Sequence, residues 1–298
     1  MILGPSERFA AEEIDKIDKY ISSGGKALIL INPAHDGGLS SLFAKYGIKA
    51  PDNQAVTFNQ QGQPDTKVGV ALQAFGGHRS HAIVGGASQV TQARGRRGFI
   101  LADSVRQVQK HPQADEIEDY LITELLQIPP GHSASKDTSP TPSRTDTHLQ
   151  APYSFAVIAE KLQMPPAETT DQTRRRKPSP EDVDHEGGKL LVIGDSDMFT
   201  DKVIILGYGL GGQPMTAQLF SYPGGSNDDF ALMAIGYLAG EPPEVEQISP
   251  KQHQVYVSDQ MKATYQDSRE LTSLVLWLLL PGVLLLAGLG VWIARRSY

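Results

Sequence analysis

Residues 187–201 read GGKLLVIGDSDMFTD. From Leu190 to Ile193 the residues are apolar without a break, and a short unbroken apolar run suits a strand buried on both faces. Gly194 then turns the chain, and Asp195, Ser196 and Asp197 follow at once. If the run belongs to a parallel sheet, this acidic turn sits at the carboxyl end of a strand, where open α/β sheets place their ligands. How the run is read therefore decides both the fold and whether chemistry is expected.

The same kind of run occurs as KALILIN at 26–32. Before it, Met1-Ile2-Leu3 reads as the end of a strand and Gly4-Pro5 as a turn. Ser6 is placed to cap a helix, with Glu7 in its first turn. Ala10, Ile14, Ile17 and Ile21 form one apolar stripe, and Gly24-Gly25 ends the helix through a left-handed cap. LSSLFAKYGI, 39–48, predicts a short helix stopping at Gly47, and QAVTFN, 54–59, a strand. This alternation predicts an α/β fold, a mostly parallel sheet with helices on both faces.

Downstream, SHAIVG (80–85) and RGFILA (97–102) predict two more short strands, while ADEIEDYLITELLQI (114–128) suits helix or strand. APYSFAVIAEKLQ (151–163) predicts a strand. NDDFALMAIGYLAG (227–240) predicts a helix capped by Asn227, with Asp228 and Asp229 at its positive end and Phe230, Met233, Ala234 and Tyr237 on one face. Two polar stretches, about 129–150 and 165–188, read as flexible excursions from one soluble domain spanning 1–240. There is no internal repeat.

Composition narrows the function classes. Of 298 residues, 40% are hydrophobic, enough for a core, and a formal net charge of −7 offers no basic field for nucleic acid. The absence of Cys excludes disulfides, thiolate metal sites and thiol catalysis. The strongest signal is LTSLVLWLLLPGVLLLAGLGVWIA, the 24 uncharged residues from Leu271 to Ala294. As a helix they reach roughly 36 Å, beyond the ~30 Å hydrocarbon core. Trp277 and Trp292 suit the interfaces, and Pro281-Gly282 is tolerable in a membrane span. Arg295 and Arg296 follow directly, in a short basic tail (295–298), and outweigh the more distant Lys262 and Arg269. They point to a cytoplasmic C-terminus, an extracytoplasmic soluble domain and a polar tether over 241–270. MILGPSERFAAEE has neither the basic nor the apolar region of a signal peptide, so a truncated start or a cytoplasmic tail-anchored domain is expected.

Four pieces in order carry a resemblance: LGPSERFAAEEIDKIDKYISSGGKALILINP, APYSFAVIAE, GGKLLVIGDSDMFTD, and NDDFALMAIGYLAGE followed by LLLPGVLLLAGLGVWIARR. Together they resemble the auxiliary component of gliding-motility-type (Gld-type) ABC transporters, a family of uncharacterised ABC-type transport auxiliary proteins. The resemblance implies a class I glutamine-amidotransferase-like α/β domain held outside the cytoplasmic membrane. It implies an ABC permease and a cytoplasmic ATPase as partners. Family members carry an N-terminal membrane span ahead of the first matched strand, where this chain begins.

The chemical candidates are few. Asp195 and Asp197 suit a metal ligand or an acid/base pair, but two carboxylates lack the further ligands a metal needs, and Ser196 or Asp197 could equally cap a helix. His78 and His81 in GGHRSHA have helical spacing but no third ligand. GGASQV (85–90) departs from the G-x-S-x-G nucleophile elbow. GYGLGGQ (207–213), followed by Pro214, reads as a turn and not a phosphate loop. RRRK (174–177), beside acidic residues, reads as a solvated loop before a lipid contact. The expected function is a non-catalytic, membrane-anchored, extracytoplasmic binding or scaffolding subunit of an ABC transport system. It would need no cofactor or metal and contact membrane lipid but no nucleic acid. The alternatives are a membrane-bound hydrolase using Asp195 and Asp197, and a tail-anchored cytoplasmic adaptor.

Overall fold

A computed structural model describes residues 1–72, 81–93, 98–139, 141–163, 183–184, 186–199 and 226–240. The chain divides into two compact units, Met1–Ser249 and Pro250–Tyr298. The predicted span Leu271–Ala294, with Arg295 and Arg296, lies outside the described residues, as do the tether 241–270, RRRK and GYGLGGQ. Among the described residues no helix is long and apolar enough to cross a membrane.

In chain order the first unit opens with β1 (Ile2–Leu3), α1 (Ala11–Ser22), β2 (Lys26–Leu30) and α2 (Ser40–Lys45). Short strands follow: β3 (Ile48–Lys49), β4 (Gln54–Phe58), β5 (Pro64–Asp65) and β6 (Lys67–Ala71). Next come α3 (Ala82–Ala93), β7 (Phe99–Asp103), β8 (Gln109–Lys110), β9 (Tyr120–Ile128), β10 (Ser133–Ser135) and β11 (Thr147–Gln150). The described part closes with β12 (Tyr153–Lys161), β13 (Lys189–Ile193) and α4 (Asn227–Ala239).

The central sheet has the order β1-β2-β13-β12-β9. It corrects the expected mostly parallel, amidotransferase-like sheet. Among the described residues only β1–β2 and β2–β13 are parallel. β12 runs antiparallel to both β13 and β9, and the smaller sheets β11-β10-β4-β5, β3-β8 and β6-β7 are antiparallel throughout. The physical reason is that an unbroken apolar run reports burial on two faces and not direction. β12 is buried from Tyr153 to Glu160, as β13 is throughout, yet it points the other way.

Alternate residues of the sheet serve two cores. Leu28, Leu30, Leu191, Ile193 and Ile158 cluster with Ile83 and Ala87 of α3 and Phe230 and Met233 of α4. Ala27, Ile29, Leu190, Val192 and Val157 cluster with Ile21 of α1 and with Leu42 and Phe43 of α2. Each fully buried Leu, Ile or Phe contributes about 1.5–3 kcal/mol.

Three local expectations change. SHAIVG begins helix α3, because buried Ile83, Val84, Ala87, Val90 and Thr91 repeat at helical spacing beyond the six-residue window. At Gly86 a Cβ would meet the terminal methyl of Met233, so a larger residue there would require that flexible side chain to shift. α1 begins at Ala11 and not after Ser6, its entry fixed by Glu13, whose Oε2 accepts the Ala10 N–H at 2.8 Å. The Asn227 side chain does not cap α4. It donates to the Leu101 and Met198 carbonyls and accepts the Leu101 N–H, tying the helix to β7. The polar stretch 129–150 supplies β10 and β11, and Ala134 and Ser135 are fully buried. The ambiguous 114–128 resolves into a 3-10 turn, Ala114–Glu116, and β9.

Candidate functional site

β2 and β13 are parallel neighbours that end together, Ile193 beside Leu30. Beyond them the chain forms two loops, one from Asn32 to Gly38 and one from Gly194 to Phe199. Gly194 passes so near the Arg106 carbonyl that no Cβ would fit, and its own carbonyl accepts the Arg106 N–H at 2.6 Å. The Arg106 guanidinium is buried beneath, donating to the carbonyls of Pro51 (2.9 Å), Ala50 (2.8 Å) and Asn32 (3.3 Å), with Asp36 at 3.6 Å. It rivets the Asn32 loop to the chain at Ala50-Pro51.

Between these loops and the end of β7 lies a cleft of about 270 Å³, walled by Asn32, Ala34, His35, Asp103, Ser104 and Asp197 among others. A wider cleft of about 540 Å³ shares Ala34 and His35 and extends past Ser6, Arg8 and Ser40. Two walls are strained. Ala34 (φ 63°) and Ser104 (φ 55°) are non-glycine residues in left-handed backbone. That conformation costs an L-residue roughly 1–2 kcal/mol, and such strain gathers at functional sites. Ala34 is held there by its N–H bond to Asp52 Oδ1 at 2.7 Å.

The acidic turn divides its labour. Asp195 is fully buried, and its carboxylate accepts the Asp103 N–H at 3.0 Å and the Asp197 N–H at 2.7 Å. Burial pushes its carboxyl up to about 7, the backbone donors oppose, and the Asp197 and Asp103 carboxylates push it further up. Ser196 donates its N–H to Asn32 Oδ1 at 2.9 Å, joining the two loops. Asp197 lines the cleft. The two carboxylates do not act as one pair: Asp195 staples β7 to the turn, and the cleft is offered Asp103, Asp197 and His35. Among the described residues no group of three His, Cys, Asp or Glu is placed to hold a metal ion.

At the other end of β13 lies a polar cluster that sequence reasoning missed. Glu160 of β12 is paired in register with Lys189 of β13, and both are buried on the face that carries α3 and α4. Glu160 accepts from Tyr237 Oη at 2.6 Å and meets His81 Nε2 at 3.1 Å and Lys189 Nζ at 3.8 Å. His81 Nδ1 takes the Ile83 N–H at 3.3 Å, which leaves Nε2 to donate to Glu160. Lys189 Nζ also sits 4.1 Å from the centre of the Tyr237 ring. Burial acts to raise the Glu160 carboxyl, but His81, Tyr237 and Lys189 together hold it below the usual carboxylate range. Burial also lowers the Lys189 ammonium, against the pull of Glu160. His81 therefore has both ring nitrogens engaged within the fold, and its proposed companion His78 lies outside the described residues.

Residues 1–76 match the model of an auxiliary family described as ABC-type uncharacterized transport system. No curated protein matches the chain. Among solved structures, the mmIFT52 N-terminal domain aligns with a TM-score of 0.44 at 13% identity, over 81% of this chain and 77% of that one.

Proposed function

We propose that the chain is a non-catalytic auxiliary component of an ABC-type transport system, anchored in the cytoplasmic membrane by residues 271–294 with its folded domain on the outer side. The observation that carries this reading is the family match over residues 1–76. The uncharged run Leu271–Ala294, followed by Arg295 and Arg296, supports the anchor and its direction. The occupation of Asp195 by two backbone N–H groups argues against an Asp195–Asp197 hydrolase. The partners are a multi-span permease and its cytoplasmic ATPase, and the Gld-type branch is the proposed specialisation.

The test is co-purification in detergent of the full chain from its native membranes, with a variant ending at residue 270 as control. The full chain is expected to sediment with membranes and to bring an ABC permease and ATPase with it. The shortened chain is expected in the soluble fraction. Protease added to intact spheroplasts should digest the folded domain. A full chain that stays soluble without detergent and brings no transporter subunit would overturn the proposal.

A further inference from the structure

α3 and α4 lie side by side in opposite directions and are tied together along their length. The start of α3 meets the last turns of α4, where the His81 and Tyr237 rings pack edge-on at 5.1 Å. Midway, Gly86 admits Met233. At the far end Thr91 Oγ1 donates to Asp229 Oδ2 at 2.9 Å. The two helices thus form one layer.

That layer is fastened to the strands differently at its two ends. At the start of α4, Asn227 makes three hydrogen bonds to the backbone of Leu101 and Met198, a fixed attachment with no charge in it. Beside it Phe230 is fully buried. At the opposite end burial is less complete: Tyr237 is half-buried and Ala239 exposed on either side of the buried Leu238, and Gly240 terminates the helix in left-handed backbone. There, beside the buried Ile83, Val84 and Leu238 side chains, both helices also reach the sheet through one carboxylate. Glu160 takes Tyr237 from α4 with Oε1 and His81 from α3 with Oε2. Lys189 sits beneath as its counter-charge.

We propose that the ends of α3 and α4 farthest from Asn227 are latched to each other through Glu160, so that these two helix ends release together. The chain leaves α4 at Gly240, within one turn of Tyr237, on its way to residues 241–298. A pull or a docking event on that tail acts on the last turn of α4, which the buried Leu238 side chain and the Tyr237–Glu160 bond hold together. Loss of that bond frees one oxygen of the carboxylate that orients His81, and His81 in turn holds the first turn of α3 through the Ile83 N–H. The latch therefore relays a change at the end of α4 to the start of α3. It stands on the contacts alone and does not require the transport reading.

The test is amide hydrogen exchange on the full chain, read residue by residue. Tyr237→Phe keeps the ring against His81 and over Lys189 and removes only the hydroxyl. It is expected to speed exchange at the Ile83 and Gly85 amides of α3 at least ten-fold, while the Ile29 and Leu191 amides of the sheet stay within two-fold of wild type. His81→Ala is expected to do the converse at Leu238 and Ala239. Should either variant fold poorly, the wild-type chain serves: under conditions where opening limits exchange, both latch-side ends must open at one shared rate, faster than the Phe230 amide near Asn227. Loosening confined to the mutated helix, equal loosening of the sheet, or separate opening rates for the two ends would overturn the proposal.

Discussion

The two ends of β13 each bury a carboxylate, and they treat it in opposite ways. At the amino end Glu160 has a cation, an imidazole N–H and a phenol around it, and its carboxyl is held low. At the carboxyl end Asp195 has two backbone N–H groups and the Asp103 and Asp197 carboxylates, and burial pushes it up to about 7. No ion pair to Asp195 occurs among the described residues. Burial is common to both, so burial is not what separates them. What separates them is whether the surrounding elements bring a compensating charge. The compensated end fastens helices to the sheet. The uncompensated end borders a cleft whose walls include two strained residues. Proteins tolerate such local conflict chiefly where something other than stability is served.

The largest expected effect sharpens this contrast at its compensated end. Removing one partner of a buried pair strands the other charge and costs about 3–5 kcal/mol, whereas replacing both by apolar groups of similar size is often neutral. Glu160→Leu should therefore lower stability by about that amount in urea unfolding. Adding Lys189→Met to it should recover most of the loss. A Glu160→Leu chain within about 1 kcal/mol of wild type would show that the cluster is solvated and that the two ends do not differ in kind.

The second expectation concerns pH. The folded carboxyl of Asp195 is raised above its ordinary value, so the native state holds that proton when the unfolded chain has lost it. Its contribution to stability is full below the unfolded value of 3.8 and is lost as pH rises through about 7. At about 1.4 kcal/mol per unit the loss is at most about 4 kcal/mol. Glu160 works in the other direction: its depressed carboxyl contributes stability that is present above 4.5 and lost as pH falls through its folded value. Between pH 5 and 8 only Asp195 of this pair changes, and stability should decline as pH rises. Asp195→Asn should flatten the urea midpoint over that window. A wild-type midpoint that is already flat, or a slope that survives in the variant, would break the comparison.

How much of this was legible in the sequence depends on the kind of signal. The buried strands β2, β12 and β13 stood out because a run such as KLLVI has no other comfortable environment. Their relative direction did not, because nothing in an apolar run records which way its neighbour points. α3 was hidden behind a short β-branched window, and only its stripe through Val90 and Thr91 betrays a helix. Asp195 was visible as the end of a run, though its role as a staple depends on Asp103, a residue far away in sequence. Glu160 and Lys189 did leave a trace. Each is a charged residue on the same alternation as a core residue, Ile158 and Leu191 respectively, and opposite charges at such positions in two strands point to a paired neighbour. His81 was noticed only as a possible metal ligand, and its bond to Glu160 was not legible because that partner lies on β12, far away in sequence. Arg106 left no trace, because its partners are backbone carbonyls, which every sequence possesses.

The smallest expected effect tests whether the cleft end stores strain. Ala34 and Ser104 hold φ values of 63° and 55°. Glycine occupies that region freely, so Ala34→Gly and Ser104→Gly should each relieve roughly 1–2 kcal/mol of backbone strain. The freer unfolded chain gives back about 0.4–1 kcal/mol, leaving a net gain of roughly 0.5 kcal/mol in each variant. Lys16, exposed in the middle of α1, is the control: there glycine has no strain to relieve and should cost about 1 kcal/mol. Opposite signs at the cleft and in α1, read from urea midpoints, would establish that the walls are held against their local preference by the Asp52 bond to Ala34 and the Thr66 carbonyl, which accepts the Ser104 N–H at 3.2 Å. If Ser104→Gly is destabilising, the Ser104 hydroxyl outweighs the strain, and the contrast between the two ends of β13 rests on charge alone.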